Sequence, residues 1–213
     1  ASLPWQHEAL ALQELKRACD DGAVGVMVLA NIGGKSLTDR SFETIWREID
    51  RRGLPVLVHP SAPPGSKALG MHEFQLTAPI GFPFDTSLAV ARCIYDGFFD
   101  RYPDLKLIAS HGGGALPYLI GRLDICWDNI PAARSKTADA PRNYMRRIYV
   151  DTVVFRQDVL DMCVSVCGPD NVLYGSDYPH TIGDMAGCLS RVDALPEGVR
   201  HQVRGFNAQR ICK

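Results

Sequence analysis

Three short apolar runs in this chain each end on a residue able to bind a metal or move a proton. They are Pro55-Val56-Leu57-Val58-His59-Pro60, Leu107-Ile108-Ala109-Ser110-His111-Gly112-Gly113-Gly114 and Val172-Leu173-Tyr174-Gly175-Ser176-Asp177-Tyr178-Pro179. A strand buried on both faces of a parallel sheet reads as a continuous apolar run. A lone imidazole or carboxylate at its C-terminal tip is out of place in a core and well placed in a mouth. In a (β/α) barrel all the C-terminal strand ends open on one face, and that face carries the chemistry. The runs therefore constrain the chain to a parallel sheet with helices outside, and they bring His59, His111 and Asp177 to one rim.

The segments between the runs alternate helix and strand. Residues 9–21 read as a helix stopped by Gly22, and 24–29 as a strand. Residues 39–52 carry Phe42, Ile45, Trp46 and Ile49 at helical spacing and close on Gly53. Helices are expected over 86–98, with Asp85 as N-cap, over 116–130, with Leu116, Leu119, Leu123 and Trp127 inward, and over 159–167. Strands are expected at 56–59, 105–110, 148–154 and 172–175, and short helices follow to the end. Residues 1–4 read as the tail of one more strand. Five strands and a tail fall short of a (β/α)8 barrel, which takes eight strands and typically about 250 residues. The expectation is a single domain over residues 1–213: the C-terminal two-thirds of an α/β (β/α)8 TIM-barrel, N-terminally incomplete in this chain. The long Pro- and Gly-rich stretch 61–84 follows His59 and is expected to overhang the site. A second irregular stretch, 131–141, reads as a surface excursion.

Bulk properties exclude some partners. A net charge of -1 gives no footprint for nucleic acid or an anionic membrane. No apolar run reaches the roughly 20 residues of a membrane span. With no signal-like start, the location defaults to the cytoplasm. The seven cysteines, odd in number and without a Cys-x-x-Cys, read as buried reduced thiols rather than a disulfide framework.

Further motifs fall in order behind the strand tips: His111-Gly112-Gly113-Gly114 continuing to Pro117 and Gly121-Arg122, then Tyr149-Val150-Asp151-Thr152, then Gly175-Ser176-Asp177-Tyr178-Pro179-His180, and a closing Asn207-Ala208. With Pro55 to Pro60 these resemble, essentially end to end, the amidohydrolase-related family that includes aminocarboxymuconate semialdehyde decarboxylase and gamma-resorcylate decarboxylase. The resemblance implies a metal-binding barrel that decarboxylates a small aromatic or muconate-like carboxylic acid without an organic cofactor. It implies metal binding by His59 and Asp177, with Zn first and Mn as the alternative. It makes His111 a base or hydrogen-bond donor beside the metal, and Asp177 a proton carrier as well as a ligand. Arg122 is implied to hold a substrate carboxylate, in some members across a dimer interface, and a homodimer is implied with it. Phe84, with Phe82, is a candidate lining of an aromatic pocket. His180 is placed at the mouth.

The non-functional alternatives are plain ones: a loop histidine at 59, a turn histidine at 111, an N-cap at Asp177 and a solvated or ion-paired Arg122. His72 is a weaker candidate for touching substrate, and His7 and His201 carry no role. Asp151 and Thr152 are placed to support the site from behind. One departure is large: the family's first strand carries a His-x-His or Glu-x-His pair, and no such pair occurs here. The expectation is that the natural protein has about 100 further residues upstream, by the size of a full barrel. Two readings compete with the decarboxylase. One is a metal-dependent hydrolase of a lactone or amide on the same barrel. The other is a non-catalytic, truncated barrel that acts only as a structural piece.

Overall fold

The computed structural model describes residues 1–212. Its strands are β1 (Val26–Leu29), β2 (Asn31–Ile32), β3 (Lys35–Ser36), β4 (Pro55–His59), β5 (Lys106–Ala109), β6 (Ile148–Asp151) and β7 (Val172–Leu173). The two shortest, β2 and β3, form a small antiparallel hairpin. The other five make one parallel sheet in the order β1-β4-β5-β6-β7. Each neighbour is the next sheet strand along the chain, with no reversal. A doubly wound sheet changes direction at a switch point, whereas a barrel adds strands in one direction. The architecture is therefore that of an incomplete (β/α)8 barrel. The expected tail at residues 1–4 is present: Ser2 bridges Met27 in parallel on the free side of β1, and the Met27 amide donates to Ala1 O at 2.7 Å.

Helices cover the sheet where the apolar spacing requires. In Glu43–Arg51, Ile45, Trp46 and Ile49 face inward and are buried. The Asp39 carboxylate caps the preceding turn by accepting from the Ser41 amide. Trp46 stacks edge-on against Phe98 at 5.1 Å and tilts against Trp5 at 4.7 Å. Its indole N–H donates to Leu37 O at 2.8 Å, so a large apolar body is buried without an orphaned donor. No helix among the described residues is long and apolar enough to cross a membrane.

Three expectations need correction. The third helix runs Phe82–Tyr95, four residues earlier than expected, so Asp85 is not its N-cap but a buried residue inside it. Pro83 in the first turn is what fixes the early start. Only Leu116 and Pro117 are buried in Leu116–Asn129; Leu119, Leu123 and Trp127 are half-buried. Of the cysteines, Cys93, Cys163, Cys167 and Cys188 are buried as expected, Cys19 and Cys126 only partly, and Cys212 is exposed.

Candidate active site at the strand tips

His59 is the last residue of β4 and keeps strand register, opposite Leu29 of β1. Its Nδ1 lies 2.8 Å from Pro60 O. A carbonyl can only accept, so Nδ1 carries the proton and Nε2 keeps its lone pair. Burial holds the His59 ring below the usual histidine range, and the neighbouring His111 and His180 add to this against the Pro60 carbonyl and Asp177. Behind the tip, the Ser61 amide donates to the Asp85 carboxylate at 3.0 Å. The Asn31 side-chain amide donates to both Asp85 oxygens, at 3.1 and 3.0 Å. Asp85 is 2% exposed and so ties together the chain leaving β1 and the chain leaving β4.

His111 is built differently. The chain leaves β5 and turns through four consecutive residues of positive φ: His111 at 57°, Gly112 at 62°, Gly113 at 78° and Gly114 at 64°. Only His111 among them has a Cβ, and the left-handed region costs an L-residue about 1–2 kcal/mol. The glycines are required by space as well as by φ: a Cβ at Gly112 would lie 2.4 Å from Val154 Cγ1, and one at Gly114 2.4 Å from Pro83 O. The Ser110 hydroxyl donates to Val58 O at 2.9 Å. It can then only accept from His111 Nδ1, 3.5 Å away. His111 Nε2 is thus the nitrogen left to take up or release a proton, and it sits 3.7 Å from Asp177 Oδ1.

Asp177, beyond β7, also has positive φ, at 58°. Its carbonyl accepts from the His180 amide at 2.9 Å. Thr152 holds the approach to it: the Thr152 hydroxyl donates to Gly175 O, and the Gly175 amide donates back, each at 3.0 Å. The rings of His59 and His111 meet edge-on at 5.5 Å, and the exposed His180 stacks over His59 at 6.4 Å. The structure therefore brings four of the sequence-derived residues together, His59, His111, Asp177 and His180. Among the described residues, no group of three His, Cys, Asp or Glu side chains is gathered closely enough to hold a metal by itself. What is present suits part of a coordination shell: an imidazole with a free Nε2 whose other nitrogen is held by a carbonyl, and a nearby carboxylate.

Two residues fall elsewhere. Phe84 is 48% exposed, and it is Phe82 whose ring faces His59, at 6.4 Å. The helical turn that begins at Phe82 rotates the two phenylalanines to different faces. Arg122 is exposed on Leu116–Asn129. Asp124, one of its possible partners, is taken by Arg142 at 3.2 Å, and no carboxylate among the described residues pairs with Arg122. His72 is exposed in the 61–81 segment. A separate hollow of about 840 Å³ is lined by Trp46, Phe98, Arg101 and Tyr102. Its Asp96 is paired with Arg101 and Lys136, and it holds no histidine.

Sequence reasoning did not find the clamp role of Asp85. The available signal was Pro83, which marks the first turn and places Asp85 inside an otherwise apolar helix. The sequence places Asp151 behind the site without naming a partner for it. The structure gives it three: its carboxylate accepts from the amides of His111 and Gly112, each at 2.9 Å, and Val153, at 3.0 Å. Burial pushes the Asp151 carboxyl up, while the Gly112 amide and His111 pull it down.

Comparison with known proteins gives a consistent picture. The amidohydrolase family model matches residues 1–212. The chain is 31% identical over 211 residues to 2-amino-3-carboxymuconate-6-semialdehyde decarboxylase of Dictyostelium discoideum, covering 97% of this chain and 58% of that protein. The crystal structure of 5-carboxyvanillate decarboxylase from Sphingomonas paucimobilis superimposes with a TM-score of 0.91 at 29% identity, covering 100% of this chain and 65% of that one. The 5-carboxyvanillate decarboxylase of Novosphingobium aromaticivorans, solved with manganese and 4-hydroxy-3-methoxy-5-nitrobenzoic acid, superimposes with a TM-score of 0.84 at 26% identity, covering 93% of this chain and 59% of that one. The chain thus spans just under two thirds of the length of these relatives.

Proposed function

The chain belongs to the amidohydrolase family, and on that premise we propose that the protein is a metal-dependent decarboxylase of a small aromatic or muconate-like carboxylic acid, needing no organic cofactor. The observation that carries this reading is the meeting of His59, His111 and Asp177 at the strand tips, with His111 Nε2 3.7 Å from Asp177 Oδ1. The named substrates of the relatives, a carboxymuconate semialdehyde and carboxyvanillate, supply the substrate class. His59 Nε2 and the Asp177 carboxylate would hold a divalent ion, with further ligands from outside these residues. The family resemblance puts Zn first with Mn as the alternative; the manganese in the similar decarboxylase supports a divalent ion of either kind. When bound, such an ion offers Lewis-acid stabilisation of negative charge on substrate oxygens.

The chain's own residues account for the protons. In the reaction the bond between the substrate carbon and its carboxylate breaks, carbon dioxide leaves, and the electron pair stays on that carbon until a proton takes it up. Asp177 carries that proton on a carboxylate oxygen, and His111 Nε2 exchanges protons with it. His59 stays neutral, because burial disfavours its charged form. Phe82 and His180 flank the ring of the acid. The exposed face of Leu116–Asn129, with Tyr118 at 78% and Ile125 at 62% exposure, serves as the homodimer contact. From it the Arg122 guanidinium reaches a substrate carboxylate in the partner's site.

The test is metal analysis of the full-length protein, followed by carbon dioxide release from a panel of hydroxylated benzoic acids and muconates. The expected result is about one Mn or Zn per chain and release from at least one acid. Metal-loaded protein that opens lactones or amides and releases no carbon dioxide would move the reading to the hydrolase. Protein that binds no metal and acts on neither would favour the non-catalytic piece.

A further inference from the structure

We infer that Asp151 is a positioning residue whose carboxylate holds His111 and Gly112 in the left-handed turn that aims the His111 imidazole across the mouth at Asp177. The inference rests on the proposed proton-carrying role of His111.

Three observations carry it. The turn is one that the chain would not choose unaided, because His111 is the one residue of the four positive-φ positions 111–114 with a side chain. Both amides that open the turn donate to the same carboxylate, His111 N to Oδ2 and Gly112 N to Oδ1, each at 2.9 Å. Pointing two successive amides at one anion is what an extended strand cannot do, since its amides alternate in direction. The carboxylate thus selects the left-handed arrangement over the extended one. Finally, Asp151 comes from the adjacent strand, where Ala109 pairs with Val150. Oδ1 also accepts from Val153 N at 3.0 Å, which fixes Asp151 in its own loop. The position of the His111 turn is therefore set relative to the sheet and not only within its own segment. Both Asp151 oxygens face amide donors, whereas the His111 ring nitrogen faces Asp177 instead. Asp151 acts on the backbone of His111, not on its proton.

Asp151→Asn tests this in the full-length, metal-loaded protein. It keeps the size of the side chain but turns an NH2 group toward one of the amide donors. The expected result is a fall in kcat of about 10- to 100-fold, with KM within about threefold of wild type and the metal content per chain unchanged, the pattern of a lost transition-state interaction. Amide hydrogen exchange at His111 and Gly112 is expected to accelerate selectively. A crystal structure of the variant is expected to show His111 φ shifted out of the left-handed region. Asp151→Ala should give the same split with a larger loss of kcat; if it fails to fold, Asp151→Asn decides. A kcat within about twofold of wild type, or a His111 turn and exchange rate unchanged in the variant, overturns the inference. So does a loss of metal in proportion to the loss of activity. If the wild-type protein releases no carbon dioxide, the decarboxylase reading has failed, while the exchange rates and the His111 φ still decide the role of Asp151.

Discussion

The two histidine-bearing strand tips solve the same problem in opposite ways. His59 is simply the next residue of β4, in register with β1. Its ring is fixed by its neighbour's carbonyl, and the carboxylate beneath it, Asp85, ties down the loop at Ser61, two residues further on. His111 leaves its strand in a left-handed turn, and the carboxylate beneath it, Asp151, grips the amide of the histidine itself. A group that only has to present a lone pair into the mouth needs no more than a strand. A group that must reach sideways to Asp177 needs a direction that a strand does not offer, and the strain of that direction has to be held by something else.

The sharpest way to break this contrast is Gly112→Ala. It puts a Cβ at φ +62° and 2.4 Å from Val154 Cγ1. The strain and overpacking should together cost about 3 kcal/mol in denaturant unfolding. A loss below about 1 kcal/mol would mean that the turn yields easily, and the two tips would not differ in stiffness. Next in size, Asp85→Ala leaves Ser61 N and the Asn31 side-chain amide without their buried acceptor. It should cost about 2 kcal/mol of stability, with kcat less affected than in Asp151→Asn. An equal fall in kcat would show that both tips are aimed by their carboxylates. His111→Gly should relieve strain and raise stability by about 0.5–1 kcal/mol, allowing for the extra freedom of glycine in the unfolded chain. The same variant should lose carbon dioxide release altogether. A destabilised variant would show that the ring contributes more packing than the turn costs.

The smallest effect expected is on pH. Burial holds the His59 ring below its ordinary value of 6.5, so as pH falls the unfolded chain takes up a proton before the folded one does. Stability from this group is fully present above the unfolded value and declines on acidification through the window between the two. Thermal unfolding followed between about pH 7 and 5, the titration range of histidine, in wild type and His59→Gln should show a shallower acid slope in the variant. Equal slopes would leave the His59 tip without its assigned electrostatic character.

How much of this was legible depended on whether the signal was local. The amphipathic spacing of Ile45, Trp46 and Ile49 gave the buried face of its helix without further help. The apolar runs gave the strands to within a few residues, and the residue closing each run gave the rim. The Asp85 interaction was not local: its partners Asn31 and Ser61 lie 54 and 24 residues away. The same holds for Asp151, two of whose three amide partners, His111 and Gly112, are 40 and 39 residues distant. Phe82 and Phe84 could not be ranked from the sequence either, since that required the turn at which the helix begins.

By itself, the sequence determined the parallel layout and the identity of the rim. Continuous apolar runs can be buried only on both faces of a sheet, and a polar residue at the end of each can sit only where the sheet opens. It also determined that His111 would be followed by freedom of the backbone, through three glycines in a row. The tertiary structure decided what that freedom was used for. A glycine run permits many turns, and the one adopted is selected by a carboxylate that arrives from the next strand. The direction of the His111 ring therefore follows from strand register, a property of two segments packed together and of neither one alone.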